Sequence, residues 1–299
     1  MNLQQLKVFV LTVQTGKLST VAETLHIKQP TVTFHLKGLQ EKLGVELFEQ
    51  PQLKRWILTD AGKDFYQYAL QITQLVDQAE QLMNDYKFNT RGKLQLGASQ
   101  TTASYILPPY LAKFQKEHDR VYISLVVNKA PTILKKVKNY DLDLGVIAYG
   151  KLYDPELTII PIMEDELVLL MHKDHPLQNK TDIRPHELTQ YPFILHEKQA
   201  VSHTLAEKWM LENNIQLNII MEIGSIQTIK EVVELNIGVA ILPKLSVKKE
   251  MKEGRLLIKP LPNYVNERNI YLIYRKNQHF SPMMQLFIEF LKQSFPEID

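Results

Sequence analysis

The side chains of Gln29, Thr31, Thr33, Phe34 and Lys37 share one short stretch, and together they could read the edges of bases. A glutamine can make two hydrogen bonds to an adenine edge. A threonine can meet either edge or a thymine methyl, and a lysine can reach guanine or phosphate. Lys28 and Pro30 stand beside them, and Lys54 and Arg55 follow in the same region. A second set, Ser99-Gln100-Thr101-Thr102, follows the strand-like run from Lys93 to Ala98. Hydroxyls and free N–H groups at the start of a helix can hold an anion, although a plain helix cap would also employ Ser99. Neither set is catalytic. The chain has no GxGxxG, GxxxxGK[ST], GxSxG or HExxH. Ser246-Val247-Lys248-Lys249 matches S-x-x-K without its companion motifs and reads as an exposed basic helix start. His172 and His175 flank Lys173 at a strand end, a poor metal pair. Asp141, Asp143 and the run Glu164-Asp165-Glu166 read as solvated acidic loops. The sequence therefore calls for no catalytic residue, no metal and no cofactor.

The first set must be positioned by the elements of 18–47. Val21, Ala22 and Leu25 form one face of a short helix opened by Ser19 as N-cap, and the helix breaks at His26-Ile27. The second helix opens at Lys28-Gln29-Pro30, where a proline is harmless because the first-turn N–H has no helical partner. Val32, Leu36, Leu39 and Leu43 then make an apolar stripe, and Gly44 supplies the stop. The polar and basic residues lie largely off that stripe. Such a pair fits a helix-turn-helix with its second helix in the major groove, and equally a pair of amphipathic core helices.

The flanks decide. The segment 3–62 resembles the N-terminal domain of LysR-type transcriptional regulators. The likeness rests on Leu6 and Phe9, Gly16, Ala22 and Leu25, Gln29-Pro30, Val32, Leu39, Leu43-Gly44, Leu47-Phe48 and Leu58-Thr59-Asp60-Ala61-Gly62. The resemblance implies a winged helix-turn-helix, residues 1–59, with Gln29–Leu43 as the reading helix. Some positions depart from the family pattern. Lys17 and Lys28 replace serines, Gln40 replaces a glutamate, and Gln50 replaces an arginine that would touch phosphate. Lys54 and Arg55, in a slightly long wing, can substitute for that contact.

Composition sets bounds on class. The chain has 299 residues, 44% hydrophobic and 23% charged, enough for about two domains and a connector. No run of eighteen apolar residues suggests a membrane span, and the N-terminus lacks a signal-peptide pattern. Cysteine is absent, which excludes disulfides and thiol chemistry and is compatible with a cytoplasmic location. The net charge of +2 does not announce a nucleic-acid binder. DNA-facing charge must be local, on Lys28, Lys37, Lys42, Lys54 and Arg55.

Residues 60–88 read as one long helix, opened by Thr59 or Asp60. Phe65, Ala69, Ile72, Val76, Ala79, Met83 and Tyr86, helped by Leu75 and Leu82, keep a three-to-four spacing. A seam that long wants a partner, and a coiled-coil dimer supplies one. The family uses this segment as a dimerising linker and commonly forms a dimer of dimers.

From residue 89 onward strands alternate with helices, the pattern of a parallel, doubly wound α/β domain. Helix is expected over 101–117 with a bend at Pro108-Pro109, and crossings between two lobes near Pro161 and Asn266. The segment 91–299 resembles the periplasmic-binding-protein-like effector domain of the same family. The landmarks are Gly97-Ala98-Ser99, Leu107-Pro108, Asp143-Leu144-Gly145, His175-Pro176-Leu177 and Gly238-Val239-Ala240 running to Leu242-Pro243. Two doubly wound α/β lobes follow, about 91–161 with 267–299, and 162–266. A cleft would lie at the carboxyl ends of their strands. Its lining would draw on Ser99, Gln100, Thr101 and Thr102, on Asn128 and Ile147 after the next strands, and on His196, Ser202 and Ser225 in lobe two.

The sequence thus reads as a ligand-responsive, sequence-specific DNA-binding regulator. Its expected partners are a double-stranded DNA operator, a small anionic or polar effector, a second copy of the chain and RNA polymerase, with no membrane. The rival readings are a solute-binding module, which would not need residues 1–88, and an α/β enzyme with a dimerisation arm, which would need a reactive constellation.

Overall fold

The computed structural model describes residues 1–49, 56–88, 92–119, 121–276, 278 and 280–295. The chain divides into two units, Met1–Thr90 with Asn139–Asp141, and Arg91–Lys138 with Leu142–Asp299. In the first unit, helix α1 (Leu3–Thr15) starts from a capping box. The Asn2 side chain accepts the N–H of Gln5, and Gln5 returns the bond. Helix α2 (Leu18–Thr24) starts one residue earlier than Ser19 would place it. Lys17 holds the cap position without a side-chain bond, and Ser19 lies within the first turn. Helix α3 (Gln29–Leu43) also begins without a side-chain cap, at Lys28, and ends at Gly44 in the left-handed conformation. Val32, Leu36 and Leu39 are buried against α1 and α2, as the stripe requires.

Gln40, the departure from glutamate, is structural. Its Oε1 accepts the N–H groups of Leu47 (2.8 Å) and Phe48 (3.3 Å), tying the end of α3 to the base of the wing. Phe48 and Leu58 pair as an antiparallel bridge at that base. The wing residues Gln50, Lys54 and Arg55 lie outside the described residues. Thr59 caps helix α4 (Asp60–Phe88) by accepting the Gly62 N–H at 3.0 Å.

The seam of α4 is divided. Phe65 and Ala69 pack into the core of the same unit with Phe9 and Phe48, rather than facing outward. Ile72, Leu75 and Met83 are exposed. A spacing of three to four is common to both roles, so periodicity alone could not separate them.

The second unit holds two lobes with the same strand plan. Lobe one contains β1 (Lys93–Ala98), α5 (Gln100–Tyr105), α6 (Leu107–Glu117), β2 (Tyr122–Val127), α7 (Ala130–Lys138), β3 (Leu144–Tyr149) and β4 (Leu157–Glu164). Lobe two contains β5 (Leu167–His172), β6 (Pro192–His196), α8 (Val201–Glu212), β7 (Asn218–Ile223), α9 (Ile226–Glu234), β8 (Val239–Pro243), α10 (Lys248–Lys252) and β9 (Leu256–Pro260). The chain then returns to lobe one with β10 (Asn269–Arg275) and α11 (Pro282–Ser294). The sheet orders are β2-β1-β3-β10-β4 and β7-β6-β8-β5-β9. Each sheet is mixed rather than purely parallel, because β10 and β5 run antiparallel to both neighbours.

Several expectations are corrected here. The helix break falls at Ile106, not at Pro108-Pro109. Those prolines sit in the first turn of α6, where their missing N–H is tolerated. Pro161 is not a crossing but part of β4, the edge strand, where a proline removes no obligatory ladder bond and the pairing register slips. The first crossing therefore lies at Asp165-Glu166, and the second runs from Leu261 to Arg268. Asp165 is no solvated loop residue: it is buried and ion-paired with Arg268 at 2.9 Å. Asp143 is also well covered and accepts the Gln95 N–H at 2.7 Å, and burial pushes its carboxyl up. Ser246 is buried and donates to the Pro243 carbonyl, whereas Lys249 of the same S-x-x-K motif is exposed.

Candidate functional site

Burying the stripe of α3 leaves its other face open. Lys28, Gln29, Pro30 and Lys37 are exposed, Thr31 and Thr33 are half-buried, and Phe34 is 71% exposed. The side chains of Lys28, Gln29 and Lys37 make no hydrogen bond or ion pair among the described residues. Thr33 donates a long bond, 3.4 Å, to the Gln29 carbonyl. A face that presents an amide, hydroxyls, a cation and an uncovered ring has the groups that base edges and phosphates require.

In the second unit the carboxyl ends of β1, β2, β3 and β6 converge on a cleft between the lobes. Ser99 follows β1 but does not cap α5 with its side chain. Its Oγ accepts the Ala148 N–H at 3.0 Å and lies 3.1 Å from Thr102 Oγ1. The Thr102 hydroxyl has the carbonyls of Val146 (2.6 Å) and Ser99 (2.8 Å) as acceptors, so Ser99 donates to Thr102. Ser99 thus ties β3 to the start of α5, and leaves the first N–H groups of that helix without a side-chain partner.

Lobe two contributes His196, the last residue of β6. Its Nε2 faces the Gly224 carbonyl at 3.3 Å, which can only accept, so Nε2 carries the proton and Nδ1 accepts the Ser202 hydroxyl at 2.9 Å. Burial pulls the His196 imidazole below its ordinary pKa, so the ring is neutral near pH 7. Lys129 of lobe one reaches Glu197 of lobe two at 2.9 Å, and this bond holds the Glu197 carboxyl low. Arg268, on the second crossing, lines the same cleft.

The cleft brings together Ser99, Gln100, Thr101, His196 and Ser202. It does not include Thr102, Asn128, Ile147 or Ser225. Thr102 is sealed beneath Ser99. The exposed Asn128 turns its carbonyl to the Lys129 N–H, and Ser225 caps α9 through the Thr228 N–H. Ile147 is buried in a core cluster with Ile133 and Tyr271, because side chains alternate along a strand and its neighbour Ala148 faces the cleft. Sequence reasoning passes over Lys129, Glu197 and Arg268. The strand-end rule that selects Asn128 stops one residue short of Lys129, and no local pattern marks Arg268. Among the described residues, no group of acidic and histidine side chains could hold a metal ion, and no helix is long and apolar enough to cross a membrane.

Comparison with known proteins places both units. Residues 89–296 match the LysR substrate binding domain, and residues 3–63 match the bacterial regulatory helix-turn-helix of the lysR family. The chain belongs to the LysR family of transcriptional regulators. Two relatives of this LysR-type regulator show how evenly the likeness is spread. A probable RuBisCO transcriptional regulator of Thalassiosira pseudonana is 30% identical over 294 residues, covering 96% of this chain and 95% of that protein. The HTH-type transcriptional activator CmpR of Synechocystis sp. is 30% identical over 290 residues, covering 97% and 94%. Full-length CbnR, solved with its target DNA, shares the fold at a TM-score of 0.66 and 20% identity, over 98% of this chain and 100% of that one. The helix-turn-helix match of the LysR regulator ends at residue 63, in the first turn of α4, and the second match begins at residue 89, so most of α4 lies between the two matched segments.

Proposed function

We propose that this LysR-type regulator reads its operator with α3 and senses a small anionic or polar effector in the cleft between its lobes. The observation that carries the reading is the open face of α3, where Gln29 and Lys37 are exposed and unpaired among the described residues. Base readout falls to Gln29, Pro30, Thr31, Thr33 and Phe34, and phosphate contact to Lys28, Lys37, Lys54 and Arg55. The effector contacts are Ser99, Gln100, Thr101, His196 and Ser202. The protein acts without catalysis, in the cytoplasm where its operator is found, and a ligand coupling of only ~1–3 kcal/mol is enough to change DNA binding.

Gln29→Ala and Thr33→Ala are each expected to cost roughly 1–3 kcal/mol on the cognate site and to relax its sequence preference. Fluorescence anisotropy on an operator selected from random DNA, against unselected DNA over a salt series, measures this. Variants that bind both DNAs as the parent does would move the reading surface elsewhere.

The exposed Ile72, Leu75 and Met83 of α4 support self-association through the linker helix. A dimer would place two reading helices on half-sites about one DNA turn, or a multiple, apart. Ile72→Lys is expected to convert the dimer to monomer in sedimentation velocity. An unchanged sedimentation coefficient would exclude α4 as the dimer contact.

A further inference from the structure

Arg268 is a buried cleft residue whose hydrogen bonding is incomplete among the described residues. It is 2% exposed, yet it lines the cleft. Its Nε donates to Asp165 at 2.9 Å, and its Nη2 to Thr101 Oγ1 at 3.3 Å. The other Asp165 oxygen is occupied by the Leu245 N–H at 3.2 Å. Arg268 Nη1 makes no hydrogen bond among the described residues. It is not among the polar atoms sealed in the core without a partner, so it keeps some exposure, and the residue itself lines the cleft. A guanidinium keeps its charge and its five N–H donors at any working pH, and a fork of parallel donors matches the two oxygens of an oxyanion. The lining offers one further carboxylate, Glu197, and Lys129 already holds it at 2.9 Å.

We infer that Arg268 receives an oxyanion of the effector, a carboxylate or a phosphate, on its free Nη1 edge, while Asp165 fixes the guanidinium from the other side. The inference rests on the cleft being the effector site. It also places the ligand's charge at the hinge, because Asp165 and Arg268 stand on the two crossings that join the lobes, and the Asp165 N–H bonds the Arg268 carbonyl at 3.2 Å. An effector held there would be recognised by its charge first and by Ser99, Gln100 and Thr101 afterwards.

The test uses the full chain, with malonate and inorganic phosphate as oxyanion probes, and malonamide and chloride as controls at matched ionic strength. Thermal shift and titration calorimetry read the binding. The expected result is binding of malonate or phosphate but not of malonamide, with the preferred oxyanion distinguishing a carboxylate effector from a phosphate one. Asp165→Asn keeps the cation and is expected to bind at least as tightly as the parent. Asp165→Asn with Arg268→Gln keeps a neutral, hydrogen-bonding pair at the hinge and is expected to weaken binding at least tenfold. Circular dichroism establishes that both variants are folded. Oxyanion binding that survives the double change but falls in Gln100→Ala would overturn the role of Arg268 and leave the cleft as the site. Binding indifferent to all these changes, or no oxyanion binding by the parent, would overturn both.

Discussion

Lys230→Met is expected to destabilise the effector unit by about 3–5 kcal/mol, the usual cost of removing one partner of a buried ion pair. Lys230 is 2% exposed and Glu250 is 3% exposed. Lys230 Nζ reaches Glu250 Oε1 at 2.7 Å and the Ser246 carbonyl at 3.0 Å, and lies 4.9 Å from the centre of the Tyr105 ring. Tyr105 belongs to α5 in lobe one, while Lys230 and Glu250 belong to lobe two, so this charge also joins the lobes. Burial pushes the Tyr105 phenol up to about 12, so the ring meets Lys230 as a neutral face. Without the ammonium, Glu250 keeps only Arg255 at 4.0 Å among the described residues, and one of its oxygens already lacks a partner there. Replacing both residues, Lys230→Met with Glu250→Leu, is expected to recover most of the loss, because no buried charge then remains. Urea denaturation followed by circular dichroism measures both variants. A single variant within about 1 kcal/mol of the parent would show that water reaches Glu250, since a solvated exposed pair contributes no more than that.

Gly62→Ala is expected to destabilise the DNA-binding unit by about 3 kcal/mol, at the upper end for overpacking. The sign opposes helix propensity, which would favour alanine over glycine by about 1 kcal/mol. A Cβ on Gly62 would stand 2.0 Å from the Leu47 carbonyl oxygen and 3.0 Å from Leu58 Cδ2. The Leu58 methyl is the end of a flexible side chain and can move, but the Leu47 carbonyl cannot step aside cheaply. The Leu47 carbonyl accepts the Thr59 N–H at 3.1 Å, and the Leu47 N–H is held by Gln40. The clash therefore spreads from the start of α4 to the end of α3, and operator binding should fall with stability. Differential scanning calorimetry should show the early transition moving down while the effector-unit transition stays in place. A raised first transition would mean that α4 shifts away from Leu47 without loss.

Much of this architecture is legible in the residues themselves. The helix-turn-helix follows from the stripe Val32, Leu36, Leu39, bounded by Pro30 and Gly44, because a helical period and its caps are local signals. The strand-then-helix alternation after residue 92 is local in the same way, and Ser99, Gln100 and Thr101 reach the cleft because they follow β1 directly. Local signals mislead where two structures share one pattern. Leu157–Glu164 carries a proline and still forms a strand, because an edge position forgives it. Phe65 and Met83 share one helical spacing, yet one is partly buried against the core and the other is exposed.

The sequence by itself determined the class of the protein, the alternation of strands and helices in its second unit, the helix α3 with its apolar stripe and one wall of the cleft. The tertiary structure alone decided which strand-end side chains face that cleft, Ala148 rather than Ile147. It also decided where the chain crosses between lobes, and which charges meet there. Arg268 and Asp165 lie 103 residues apart, and Lys129 meets Glu197 only when the two lobes pack. Such pairs leave no periodic trace, because their partners are selected by the packing of whole sheets rather than by neighbours along the chain.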